Sequence, residues 1–294
     1  MKIILLSVVL GTALFGNDAF ISVDTLKNEM NNKDTIILDI SDSQTYMHGH
    51  IKNAVLTDME TFRDKVGSYA IMKKPFEVQK MARNLGINDN SHIVIYGHGN
   101  PKDLLKESYM ALTLIVNGAK DVSILNGGYL AWTFESNILS STSSSSPKDG
   151  NFTSIYNPNI LVDLNYVKNS IGKVPMIDAR STEIYYGTSP SQGVKRIGHI
   201  KGAMSSFWKD KFLTDETLRN DNEIKDIFLK GYNLKENDEV ISYCTGGMEA
   251  SMNWYILYSY LGLKNTKLYD TSMREWGNRE DTPMERFKWE MFSK

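Results

Sequence analysis

The chain carries one thiol. Cys244 is the only cysteine in 294 residues, and it stands in the run 242–251, SYCTGGMEAS. Cysteine attacks sulfur or carbon as the thiolate, so the question is whether its neighbours would hold that form. Gly246 and Gly247 let the backbone curl until successive N–H groups converge on the sulfur. A helix starting just after them adds its positive end. This predicts a thiol that ionises below its ordinary value. The competing reading is a buried, inert cysteine packed like a small apolar residue. A strand, a cysteine, two glycines and a helix in that order favour chemistry.

The elements that must position the thiol are legible around it. Residues 238–243 (DEVISY) read as a short buried strand. Residues 249–263 (EASMNWYILYSYLGL) read as a helix, apolar over most of its circumference and unbroken until Gly262. Trp254, Tyr255, Tyr258 and Tyr260 on that helix read as domain packing rather than a cofactor box. Upstream, a short helix capped by Ser22 or Asp24 is expected over 22–31. A strand at 35–40, a turn-rich segment at 46–55, and a helix near 75–85 come next. A strand at 92–96, a helix at 106–117 and a strand at 122–125 complete this half. Alternating strands and helices predict an α/β fold, with parallel sheets covered by helices on both faces.

The same order of signals occurs twice. Ile177-Asp178 answers Leu38-Asp39, and Gly198-His199-Ile200-Lys201 answers Gly49-His50-Ile51-Lys52. NDEVISY at 237–243 answers NSHIVIY at 90–96, and the run 267–276 answers 123–132. Four matches in one order predict a duplication. Tyr96 then corresponds to Tyr243, so Gly97 falls where Cys244 stands, and the first copy has no nucleophile. Between the copies, SSTSSSS at 140–146 followed by Pro147 and Gly150 reads as a flexible surface linker. The expected boundaries are a signal peptide at 1–19, an inactive domain at 20–139, a linker at 140–155 and a catalytic domain at 156–294.

The apolar run 3–15 behind Lys2 is too short to span a bilayer and reads as a signal-peptide core. An exported protein is expected, periplasmic in a Gram-negative cell, with no stable membrane association. An unpaired thiol is pointed in that setting, because oxidising compartments favour paired cysteines. A net charge of −2 and no basic stripe argue against nucleic acid. Hydrophobic content of 41% and charged content of 23% describe a globular protein with a substantial core.

Asp178-Ala179-Arg180-Ser181, GHIKGA at 198–203, YCTGGMEAS at 243–251 and LYDTSMREW at 268–276 together resemble the rhodanese sulfurtransferases. More narrowly, the chain resembles the two-domain enzymes acting on thiosulfate or 3-mercaptopyruvate, over about residues 22–294. The resemblance implies two tandem rhodanese-like domains with only the second active. It implies that Cys244 accepts a sulfane sulfur from thiosulfate, 3-mercaptopyruvate or a polysulfide as a persulfide. That sulfur then passes to cyanide, a thiol or a sulfur-accepting protein. Thr245, Gly246, Gly247, Met248, Glu249 and Ala250 would cradle the persulfide, with Arg180 nearby at the end of the half's first strand. No metal or organic cofactor is implied.

Two departures bear on the donor. Glu249 stands where many relatives carry arginine or threonine, and either weakens the pull on a dianionic donor or points away as a first-turn helix acid. Ile184 stands where animal relatives place a substrate arginine. Arg196 and Lys195 are the candidates to supply that cation, against a reading as a solvated loop pair. Ala250 occupies the place of a phosphatase arginine, which argues against phosphate-ester hydrolysis. His199 belongs to the GHI turn and nothing marks it as the base of a thiol protease. The scattered histidines His48, His50 and His98 lack metal-ligand spacing. Asp270 reads either as an orienting group or as a simple turn acid. The second class of function is a sulfur carrier or binding module without fast turnover.

Overall fold

The computed structural model describes residues 19–288 apart from 137, 139 and 145. All but the last residue of the expected signal segment, and residues 289–294 of the tail, lie outside the described residues.

The first half contains strands β1 (Phe20–Ile21), β2 (Thr35–Asp39), β3 (Val55–Leu56), β4 (Arg63–Val66), β5 (Tyr69–Met72), β6 (His92–Tyr96) and β7 (Asp121–Leu125). Its helices are α1 (Val23–Glu29), α2 (Ser43–His48), α3 (Pro75–Asn84), α4 (Pro101–Val116) and α5 (Gly128–Glu135). Five strands form one parallel sheet in the order β1-β7-β6-β2-β3. Ser22, not Asp24, caps α1, its side chain accepting the Thr25 N–H. Strands β4 and β5 form a separate antiparallel hairpin that alternation of strand and helix did not foretell.

The second half contains β8 (Met176–Asp178), β9 (His199–Ile200), β10 (Met204–Ser205), β11 (Val240–Tyr243), β12 (Thr266–Leu268) and β13 (Met284–Glu285). Its helices are α6 (Leu164–Ser170), α7 (Thr182–Tyr186), α8 (Asp221–Lys225), α9 (Met248–Tyr255) and α10 (Ser272–Trp276). Its parallel sheet runs β10-β8-β11-β12, and the tail returns as β13 to pair antiparallel with β9. The helix expected over 249–263 keeps α-helical bonding only to Tyr255. From Ile256 to Tyr260 it widens into a π-helical turn, closed by Leu261 N–H to Ile256 O at 2.8 Å.

The repeat is visible in side chains as well as in strand order. Tyr46 stacks on His50 with ring centroids 3.7 Å apart, and Tyr185 stacks on His199 at 3.9 Å. Each histidine Nδ1 lies 2.8 Å from its tyrosine's carbonyl oxygen. Each tyrosine hydroxyl donates to the alanine that ends the turn, Ala54 or Ala203, at 2.7 Å. Tyr96 and Tyr243 hydroxyls accept the Ile51 and Ile200 N–H groups at 3.0 and 3.2 Å. The GHI histidines are therefore buried struts of the turn, and burial lowers the pKa of His199.

The two halves share one apolar core running through Tyr109, Met110 and Leu112 of α4 and Met252, Tyr255 and Ile256 around α9. Ser108 Oγ meets Ser251 Oγ at 2.8 Å, and the Tyr255 hydroxyl donates to the Ala19 and Val122 carbonyls at 2.6 and 2.9 Å. Tyr255 thus joins the active-loop helix to the first half's sheet. The segment between the halves is tied to the first half. Ser141 and His50 exchange backbone hydrogen bonds, Gly150 N–H donates to Arg83 O, and Phe152 is buried.

Candidate active site

Strand β11 delivers Cys244 to the carboxyl end of the second sheet, where open parallel sheets present their loops. The loop 244–247 then turns into α9. Gly247 holds φ +92°, and a Cβ there would lie 2.2 Å from Asp270 Oδ1, so only glycine fits. In that conformation the Gly247 N–H points at Cys244 Sγ, with N–S of 3.1 Å. The neighbouring segment clamps the loop from the other side. Cys244 N–H donates to Ser272 Oγ at 3.0 Å, while the Met273 and Arg274 N–H groups donate to the Cys244 and Thr245 carbonyls at 3.1 and 2.9 Å. Ser272 takes φ +50° to make this turn and donates its hydroxyl to Tyr269 O at 2.6 Å.

The electrostatics correct one expectation. The N–H groups of Ala250, Gly246 and Gly247 do favour the thiolate, as the two glycines predict. They are outweighed. Cys244 is 1% exposed. Burial, and after it the charge of Glu249, push its thiol up to about 12. Glu249 therefore does not point away from the site. Its own carboxyl is raised by burial and by Asp178, and drawn down by Arg180, the Thr245 N–H and the Cys244 thiol. In the resting protein at neutral pH the thiol holds its proton.

The residues predicted to cradle substrate fall into two groups. Thr245, Gly246, Gly247, Met248, Glu249 and Ala250 form the loop and the first turn of α9 around the sulfur, and Thr245 Oγ1 lies 2.9 Å from Ser191 Oγ. The two arginines do not lie free beside them. Arg180 is 1% exposed, its guanidinium forked onto Asp178 (Nε–Oδ1 2.8 Å, Nη2–Oδ2 2.5 Å) and donating to Gly198 O at 2.8 Å. Burial works against that charge, but Asp178 holds it above its ordinary value. Arg196 donates to the Trp276 and Thr282 carbonyls at 2.9 and 3.0 Å and to the Thr282 hydroxyl, bracing the 276–282 loop. None of these Arg196 bonds reaches the thiol loop.

The first half supplies what its own sequence did not announce. Arg63, at the start of β4, donates from Nη2 to Gly246 O and to Ala70 O, both at 2.8 Å. Its guanidinium lies 4.5 Å from the Tyr109 ring centre and 3.7 Å from Asp270 Oδ1. Asp270 also accepts the Tyr109 hydroxyl at 2.9 Å and the Met72 N–H at 3.1 Å. Asp270 is thus an interdomain anchor behind Gly247, and burial raises its carboxyl against the pull of Arg63 and Tyr109. Its place in the run 268–276 marked it as an orienting candidate. Arg63 carried no local signal for this place, since the two partners that tie it to the second half are 183 and 207 residues away.

The rhodanese-like domain family matches the chain twice, at residues 22–135 and 163–279. The chain is 30% identical over 251 residues to a 3-mercaptopyruvate sulfurtransferase of Escherichia coli K12, covering 84% of this chain and 86% of that protein. It is 27% identical over 283 residues to the sulfur carrier protein TtuD of Thermus thermophilus, covering 91% and 96%. The crystal structure of the Escherichia coli 3-mercaptopyruvate sulfurtransferase SseA superposes with a TM-score of 0.74 at 25% identity, over 86% of this chain and 98% of that one. The anaerobic ergothioneine biosynthesis enzyme of Chlorobium limicola shares the fold, with a TM-score of 0.79 at 21% identity over 92% of this chain and 70% of that one. With a single thiol at the end of the second repeat's central strand and both repeats matched, the chain belongs to the rhodanese family, a tandem two-domain member of the sulfurtransferases of the thiosulfate and 3-mercaptopyruvate type.

Proposed function

We propose that Cys244 accepts a sulfane sulfur from a small donor and passes it to a thiophilic acceptor through a persulfide. The observation that carries this is the loop itself. Gly246, Gly247 and Ala250 aim backbone N–H groups at the sulfur of the chain's one cysteine, with Gly247 at 3.1 Å. The step balances with thiosulfate as donor. The Cys244 thiolate attacks the outer sulfur, an S–S bond forms, the bond to the sulfonate sulfur breaks, and sulfite leaves with the bonding pair. The remaining persulfide anion carries the charge that the N–H groups stabilise. Such preorganised donors have been worth about 3 kcal/mol each where one was removed elsewhere. Cyanide or a thiolate then attacks the outer sulfur and returns the cysteine thiolate.

The proton on the resting thiol must leave first, and the Glu249 carboxylate, which interacts with that thiol, is the group proposed to take it. A thiol held at about 12 also favours a second reading, a sulfur carrier loaded by a partner protein rather than a fast enzyme. The two separate on intact mass after thiosulfate, 3-mercaptopyruvate or polysulfide. A gain of one sulfur, reversed by cyanide and repeated over many turnovers, supports the enzyme. A single round of loading supports the carrier. Loading that survives Cys244→Ser in a folded protein refutes both. We also propose export through a leader at residues 1–19, which the N-terminal residue of the mature protein from cell fractions would test.

A further inference from the structure

The hairpin β4–β5 and helix α10, which carries Arg274, face each other where the two halves meet, and a cleft of about 220 Å³ lies between them. Glu60, Arg63, Lys65, Ser68, Tyr69 and Arg274 line it. Three of those side chains are cationic and one is anionic. The Arg274 guanidinium makes no hydrogen bond or ion pair among the described residues, and neither does the Lys65 ammonium. Arg63, although it is tied to Gly246 O and faces Asp270, keeps its Nε buried without a partner. Guanidinium groups are ordinarily matched to carboxylates or carbonyls when partly buried; Arg63 is matched in this way, and the half-buried Arg274 is not.

The Arg274 side chain that lines the cleft also lies against the thiol loop. A Cβ at Gly246 would come within 3.3 Å of Arg274 Cδ and 3.5 Å of its Nη1, so this side chain lies directly against the residue two after Cys244. The Arg274 N–H fixes the same loop through Thr245 O. The substrate cation sought at Arg196 is engaged elsewhere, and Ile184 cannot supply one.

We propose that this interdomain cleft binds the anionic group of the sulfur donor, a sulfonate or a carboxylate. Arg274 is the direct contact, Lys65 adds attraction at the rim, and Arg63 is a positioning residue that holds Gly246 and the hairpin together. A donor of this class, with its anionic end on Arg274, presents its sulfane sulfur toward the loop. The inference rests on Cys244 being the sulfur acceptor. It adds that the inactive half helps to choose the donor.

The test is single-turnover sulfur loading of the full chain, followed by intact mass, against thiosulfate concentration in wild type, Arg274→Gln and Arg274→Lys. Loss of one charge-assisted contact predicts half-saturation raised by about tenfold or more in Arg274→Gln, with most of the loss recovered by lysine. The effect falls on half-saturation rather than on the limiting rate, and sulfite protects wild type from thiosulfate better than it protects Arg274→Gln. Half-saturation within about twofold of wild type would overturn the cleft while leaving sulfur transfer at Cys244 intact. Failure of wild type to load from any donor would instead overturn the reading of Cys244. In that case a thermal shift with thiosulfate still decides the cleft, supporting it if wild type is protected and Arg274→Gln is not, and rejecting it if the two respond alike.

Discussion

Replacing Glu249 with glutamine removes a charge beside the thiol while keeping the side chain's size. Burial alone would leave Cys244 high, and the Glu249 charge is the next cause that raises it. With an effective dielectric of about 20 and charges about 5 Å apart, their repulsion is roughly 3 kcal/mol. At 1.36 kcal/mol per unit that is about two pKa units for a fully ionised carboxylate. Burial raises the Glu249 carboxyl, so the fully ionised case is an upper limit and the expected fall is about one to two units. The assay is the rate of Cys244 alkylation by iodoacetamide from pH 6 to about 12.5, past the wild-type midpoint, with the protein in urea as reference for an unperturbed thiol near 8.5. The midpoint should fall in Glu249→Gln, and the alkylation rate at pH 7.5 should rise by about tenfold to a hundredfold. A midpoint unmoved, or moved upward, would refute the electrostatic account. If sulfur loading nonetheless slows while alkylation quickens, Glu249 acts as the proton acceptor in the transfer step.

Gly247→Ala must relax both a left-handed φ and a 2.2 Å overlap with an Asp270 carboxylate that Tyr109 and Met72 hold in place. A loss of about 3 kcal/mol or more in stability is expected, with sulfur loading abolished. Wild-type loading by intact mass would show that the loop does not need this conformation. Lys211 is 1% exposed, its ammonium donating to Ser206 Oγ and Phe207 O, and burial pushes its pKa down to about 7. Its folded value lies below the unfolded value of about 10.4, so the unfolded chain binds the extra proton between those limits and stability rises with pH across that window. Lys211→Met should therefore stabilise the protein at pH 7 by about 2 kcal/mol after the two lost hydrogen bonds, with the gain shrinking toward pH 10. Urea midpoints at both pH values check this, and a gain larger at pH 10 than at pH 7 contradicts it.

The sequence by itself determined the duplication, the α/β class, the position of the thiol at a strand-to-helix turn, and which half carries it. These follow from local patterns. Apolar runs make the strands, Gly247 permits a turn that an added Cβ would block, and the GHI runs repeat because the same tyrosine–histidine stack closes both turns. Tertiary structure decided the rest. Whether Cys244 ionises depends on how deeply α9 and the first half bury it, and no turn signature records that depth. Arg180 and Arg196 find their partners at Asp178, Gly198, Trp276 and Thr282, none of them adjacent in a local pattern that ranks one arginine over the other. Arg63 reached the Cys244 loop only because packing of α4 on α9 brings a hairpin of the first half onto the second. Charge and burial at a site between domains are properties of the assembled surface, so a sequence can name its thiol and still leave the company it keeps to the fold.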